Sequence, residues 1–165
     1  MLKIVTIPNK NLRTRSTEID RDILLSKEIQ KFAQDMIPMM YKADGVGLAA
    51  PQVGKNIRLC VIGKEGIKKD SKATVSKNED LILVNPVWVK KNKKKNSDVE
   101  GCLSVPKTFG SVSRYSDIHV TALDSNGNPM TFDAHGFFAR VIQHEVDHLD
   151  GILFIDKATN IYTVD

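Results

Sequence analysis

Two histidines four positions apart, His144 and His148, with a glutamate directly after the first, constrain this chain more than any other feature. On a helix, positions i and i+4 differ by about 40° around the axis and about 6 Å along it, so both imidazoles can face one point. That point can hold a metal ion. Glu145 then lies close enough to handle the proton of a water at the metal, which is the mechanical content of the His-Glu-x-x-His pattern. The stretch Gln143-His144-Glu145-Val146-Asp147-His148-Leu149-Asp150-Gly151 is therefore expected on a helix with a hydrolytic centre on one face. The plainer alternative is a surface helix that happens to carry two of the four histidines in the chain.

What surrounds that helix is limited by size and composition. A chain of 165 residues, 41% hydrophobic and 27% charged, suits one domain over residues 1–165 with a single substantial core. The opening Met-Leu-Lys-Ile-Val-Thr-Ile-Pro is too short and interrupted for a secretory leader. No apolar run approaches the roughly 18 residues of a membrane span, so no membrane partner and a cytoplasmic setting are expected. In such a reducing compartment Cys60 and Cys102 are not expected to pair. Cys60 sits in the apolar run Leu59-Cys60-Val61-Ile62 and reads as inert core; Cys102 is free to be a ligand. The formal charge of +4 permits contact with a polyanion without demanding it.

Periodicity sketches an α+β domain of mostly antiparallel strands packed around a buried active-site helix. Apolar Ile29, Phe32, Ala33, Met36, Ile37 and Met40 form a helical stripe that Ser26 can cap, and Pro38 should kink or shorten its last turns. Gly45 to Gly54 is crowded with small residues that let other groups approach the backbone. Ile57–Ile62, Leu81–Val89, Val99–Pro106, Val112–Leu123 and Met130–Ala134 read as strands, with a turn over Asp124–Pro129. The lysine-rich segment from Gly63 to Asp80 reads as a flexible loop, and Lys90 to Asn96 as an exposed basic turn. Phe137 to Leu149 is the metal helix, with Phe137, Phe138, Val141, Ile142 and Leu149 on its buried side and Gly151 as its stop. Ile152 to Ile155 can return as a last strand.

A catalytic metal needs a third protein ligand. Continuation as His-x-x-Gly-x-x-His fails, because Gly151 has the right spacing but Phe154 stands where the histidine is needed. No glutamate follows Glu145, so a downstream carboxylate is excluded as well. The ligand must come from upstream, where Cys102, His119 and His135 are the candidates.

Three segments together resemble the peptide deformylase family, in its order and spacing: Gly-Val-Gly-Leu-Ala-Ala-Pro-Gln ending at Gln52, Glu-Gly-Cys-Leu-Ser-Val-Pro around Cys102, and Gln-His-Glu-Val-Asp-His-Leu-Asp-Gly. The resemblance spans nearly the whole chain. It implies Cys102, His144 and His148 as metal ligands, Glu145 as proton carrier, and Gln52 with the Leu103 backbone N–H as oxyanion donors. It further implies Val46, Gly47, Arg114, Phe137 and Val141 as substrate-binding, with Arg114 on the substrate backbone and Val46, Phe137 and Val141 around the methionine side chain. The cofactor implied is one divalent ion, Fe(II) first, with Zn(II), Ni(II) and Co(II) as substitutes. The activity implied is removal of formyl from the N-terminal formyl-methionine of newly made chains.

Departures from the family pattern are Pro38, the long Gly63 to Asp80 connection, Phe137 and Phe138 in place of two leucines, and a chain that ends soon after Phe154-Ile155-Asp156 without the basic helix of the common bacterial form. Lysines at 64, 68, 69, 72 and 77 and at 90, 91, 93, 94 and 95 offer basic loops for the ribosome instead; DNA is not an expected partner. An organellar or phage-encoded origin fits the same sequence. Two other classes share the histidine motif: a metallopeptidase with a Cys/His/His site, and a catalytically silent ribosome-binding module. The first lacks an extended cleft signature, and the second has no reason to keep Glu145 and Gln52.

Overall fold

The computed structural model describes residues 1–165. Its elements, in chain order, are α1 (Arg21–Leu24), α2 (Lys27–Lys42), β1 (Gly47–Ala49), β2 (Leu59–Ile62), α3 (Lys64–Ile67), β3 (Leu81–Lys90), β4 (Lys95–Cys102), β5 (Val105–Tyr115), β6 (Asp117–Leu123), β7 (Pro129–His135), α4 (Gly136–Leu149) and β8 (Thr159–Thr163). Every strand pairing within the two sheets is antiparallel, in the orders β1-β2-β3-β6-β7 and β4-β5-β8. No helix is long and apolar enough to cross a membrane.

The five-stranded sheet is buried on both faces where β2 runs through it. Successive residues of a strand point to opposite faces, so Leu59 and Val61 pack with α2 while Cys60 and Ile62 pack with α4. The all-apolar run Leu-Cys-Val-Ile is what a strand between two helices requires. The α4 side is built from Phe138, Ala139, Ile142, Val146 and Leu149 against Leu83, Ile118, Val120, Phe132 and Ala134. Phe138 is fully buried and stacks on Phe132, their centroids 5.8 Å apart; burial of such a side chain contributes about 1.5–3 kcal/mol. A smaller cluster of Leu12, Val105, Val112, Leu153 and Phe154 fastens the three-stranded sheet to the N-terminal segment.

Ser26 caps α2 as its spacing predicts, its hydroxyl accepting from Ile29 N–H at 3.4 Å. Several other expectations are corrected. The helix runs past Pro38 to Lys42, because the missing donor is lost one turn from the end and Ala43 N–H closes the helix on Met39 O. The Gly63–Asp80 segment is not a simple flexible loop: it contains α3, with Gly66 and Ile67 buried, and it is pinned at Asp80, whose Oδ1 accepts from Lys64 N–H. A second pin is Asp70, which accepts from His135 N–H at 3.0 Å. Val112–Leu123 is two strands, since the chain reverses at Ser116. Ile152–Ile155 is not a strand; Phe154–Asp156 is a 3-10 turn and the last strand is β8. Gly151 does end α4: at φ +75° it takes the left-handed backbone that stops a helix, packed against Arg13.

Candidate metal centre

The second long helix, α4, carries His144, Glu145 and His148, and β4 delivers Cys102 from the other sheet. The β4–β5 register shifts between Gly101 and Cys102, where the hairpin turns through Leu103 and Ser104. A bulge of this kind re-aims a side chain, and Cys102 Sγ lies 3.2 Å from His148 Nε2. The ligand atoms of Cys102, His144 and His148 all fall within 4.8 Å of one another. His119 and His135, the other upstream candidates, lie elsewhere, held by Asp133 and Asp70 respectively. Neither cysteine is in a disulfide, and Cys60 is fully buried, where burial pushes its thiol well above the usual range.

Behind the histidines stands an ion-pair network that sequence reading passed over. His144 Nδ1 is 2.9 Å from Glu100 Oε1, which leaves Nε2 as the nitrogen presented to the cluster. Glu100 accepts two bonds from Arg114, each 2.9 Å, and one from Arg140 at 2.6 Å. Arg114 also bonds Asp147 at 2.5 Å, and Lys157 closes the network on Asp147. Burial works against the charge of Glu100, yet Arg114 and His144 hold its carboxyl well below the usual carboxylate range. Arg114 is 3% exposed with both partners buried beside it, and it does not line the cleft. Its guanidinium is spent on two protein carboxylates, so it is a support for the histidine side of the cluster and not a contact for substrate backbone. Arg140 is the arginine that borders the cleft.

The cleft, about 540 Å³, is lined by Cys102 and His144, with His148 buried beside them. Of the residues singled out from sequence, Val46, Gly47, Gln52, Cys102, Leu103, Phe137, Val141, His144 and Glu145 all line it. Glu145 is buried, and its Oε2 has no protein partner. Burial raises its carboxyl to about 7, helped by Glu100 and opposed by His144. Gly47 makes room for it: a Cβ there would come within 2.7 Å of Glu145 Oε1. Gln52 is orientated by its own segment. Its Oε1 accepts from Ala49 N–H at 2.9 Å, which turns Nε2 toward Ser104 Oγ at 3.2 Å and Cys102 Sγ at 3.6 Å.

These donors fit a divalent ion of intermediate softness, which takes one sulfur and two imidazole nitrogens readily. The electrostatics agree. Burial disfavours charge on His144, but its bonds to Cys102 and Glu100 and the nearby Glu145 outweigh that and hold the imidazole at about 10, whereas burial holds His148 well below its usual value. One positive charge is thus stabilised at the cluster, and a bound cation would take over from the proton there.

Comparison with known proteins places the chain among close relatives. A family model described as polypeptide deformylase matches residues 1–163. "Peptide deformylase 2" of Gloeobacter violaceus is 42% identical over 159 residues, covering 96% of this chain and 80% of that one. The crystal structure of peptide deformylase from Thermotoga maritima superposes with a TM-score of 0.84 at 32% identity, over 96% of this chain and 98% of that one. A peptide deformylase from Synechococcus elongatus, solved in complex with actinonin, gives 0.83 at 37% identity, over 96% and 81%.

Proposed function

From the membership of this chain in the polypeptide deformylase family, as a metal-dependent deformylase of formyl-methionyl nascent peptides, we propose how its residues divide the reaction. Cys102, His144 and His148 hold the metal, and iron(II) is the native ion, with zinc, nickel and cobalt as substitutes. When bound, the cation supplies Lewis acidity to the formyl oxygen and to a water molecule. Glu145 takes a proton from the water that attacks the formyl carbon, then returns it to the amine as the C–N bond breaks. A carboxyl near 7, buried and unpartnered at Oε2, is suited to both directions of transfer. Gln52 Nε2 and the Leu103 backbone N–H donate to the formyl oxygen as charge builds on it. Val46, Phe137 and Val141 enclose the methionine side chain, with Gly47 beside it.

The observation that carries this assignment is the convergence of three metal donors, an unpartnered buried carboxylate and a fixed amide donor at the cleft and directly behind it. The test is formate release from a formyl-Met peptide by the metal-loaded protein. Glu145→Ala should keep the metal and lose about a hundredfold or more in kcat. Near-parental turnover by that variant overturns the assignment.

The substrate emerges from the ribosome, so the compartment is one of translation, the cytoplasm or an organelle with ribosomes of its own. We propose further that the two lysine-rich segments draw the enzyme to ribosomal RNA. A relay of hydrogen bonds links them through the end of β7 and Ser116: Asp70 accepts from His135 N–H, Gly136 N–H bonds Ser116 O, and Ser116 N–H bonds Lys94 O.

A further inference from the structure

One face of the three-stranded sheet carries an apolar stripe that begins in the cleft and leaves it. Opposed residues in an antiparallel pair share a face; Gly101 opposes Phe109, and Phe109 opposes Tyr162. Val99, two positions before Gly101, shares that face. Phe109 and Tyr162 stack with centroids 5.8 Å apart at 28°. The Phe109 ring lies directly against β4, since a Cβ on Gly101 would be 2.7 Å from its Cε1. Val99, Gly101 and Phe109 line the cleft, whereas Tyr162 lies beyond it. Val99 is 52% and Tyr162 49% exposed, with exposed Val164 following.

We propose that this stripe, ending on Tyr162 of β8, extends the substrate site and takes apolar or aromatic side chains at about the third to fifth positions of the formylated chain. The proposal rests on the deformylase reading of the cleft. Continuity with the cleft identifies the occupant: a chain held by its first residue at the metal donors passes Gly101 as it leaves. From β4 to β8 is two strand spacings, about 10 Å, which about three extended residues span. Tyr162 acts here as a binding residue for the downstream chain and, through the stack, as the positioning residue of Phe109.

The experiment compares KM for formyl-Met-Ala-Phe-Phe and formyl-Met-Ala-Ser-Ser, with formyl-Met-Ala as the reference substrate, on the metal-loaded full chain. The parent should favour the Phe-Phe peptide about three- to tenfold, the size of one aromatic contact. Tyr162→Ala should collapse that ratio toward one, Tyr162→Phe should retain it, and Val87→Ala, an exposed site on the other sheet, should leave it unchanged. Phe109→Ala should act like Tyr162→Ala; if it fails to fold, the exposed Tyr162 pair still decides. A parent ratio of one, or a ratio that survives Tyr162→Ala, overturns the proposal. So does a concentration-dependent dimer abolished by Tyr162→Ala with the ratio intact, which would assign the stripe to a second copy of the chain. Failure of the parent to deformylate formyl-Met-Ala would instead strike the deformylase reading itself.

Discussion

Glu100 Oε1 lies 2.9 Å from His144 Nδ1, and the same carboxylate receives two bonds from Arg114 and one from Arg140. One side chain thus fixes which nitrogen His144 presents and pairs with two buried guanidiniums, one of which Asp147 also holds. Glu100→Gln should weaken metal affinity about 10- to 100-fold, the usual effect of removing a partner behind a ligand histidine. Competition with a chelator of known affinity reads it. Unchanged affinity would show that His144 is orientated by packing alone.

The two cysteines should differ sharply toward alkylating reagents. Cys60 is fully buried with its thiol pushed well up, whereas Cys102 borders the cleft. In metal-stripped folded protein, iodoacetamide should label Cys102 alone, and added metal should protect it. Mass spectrometry of the peptides checks this; early labelling of Cys60 would mean that the native core opens readily.

Asp156 ties the end of the chain to the N-terminal segment through Arg13, at 2.5 Å. The bond from Arg13 holds its carboxyl below the usual value, although partial burial pulls the other way. A folded pKa below the unfolded value of about 3.9 stabilises the protein above that pH and loses the effect as pH falls through the folded value. Both side chains are more than a third exposed, so the contribution should stay under about 1 kcal/mol. Urea unfolding of Asp156→Asn should show a small deficit at pH 7 that narrows below about pH 4. A deficit that is constant across that range would remove the ionic explanation.

Replacing Lys90, Lys91, Lys93, Lys94 and Lys95 with Gln should lower co-sedimentation with ribosomes at low salt while formyl-peptide turnover holds. Lysines near phosphates gain mainly by counterion release, so added salt should erase the difference between parent and variant. Equal binding by both proteins at low salt would discard the RNA attraction.

The helix bearing the histidines was legible because its chemistry is local: i, i+4 spacing, an adjacent glutamate and a closing glycine are all visible within nine residues. Cys102 stood among three upstream candidates by elimination, but only the family resemblance chose it and drew attention to Gln52, since 42 positions separate Cys102 from His144 and nothing in periodicity brings them together. Arg114 was misread for a related reason. The resemblance offered it to the substrate backbone, and nothing in the sequence shows that Glu100 and Asp147, from elsewhere in the chain, occupy its guanidinium. The break at Ser116 was hidden because apolar residues alternate on either side of it, and β8 because Thr159–Thr163 is an exposed edge strand with little apolar pattern. Ile152–Ile155 looked like a strand by composition, but Leu153 and Phe154 bury themselves through a tight turn instead.

The donors come from opposite halves of the architecture: Cys102 ends a strand of the smaller sheet, and the two histidines ride on the helix packed against the larger one. A cation shared between them is a cross-link as well as a reagent. Its binding energy enters the folding equilibrium, adding about 1.4 kcal/mol for each tenfold excess of free ion over its dissociation constant. Scarcity of metal in a cell would therefore reach this enzyme twice, once as lost turnover and again as a looser seam between its sheets that proteases can find.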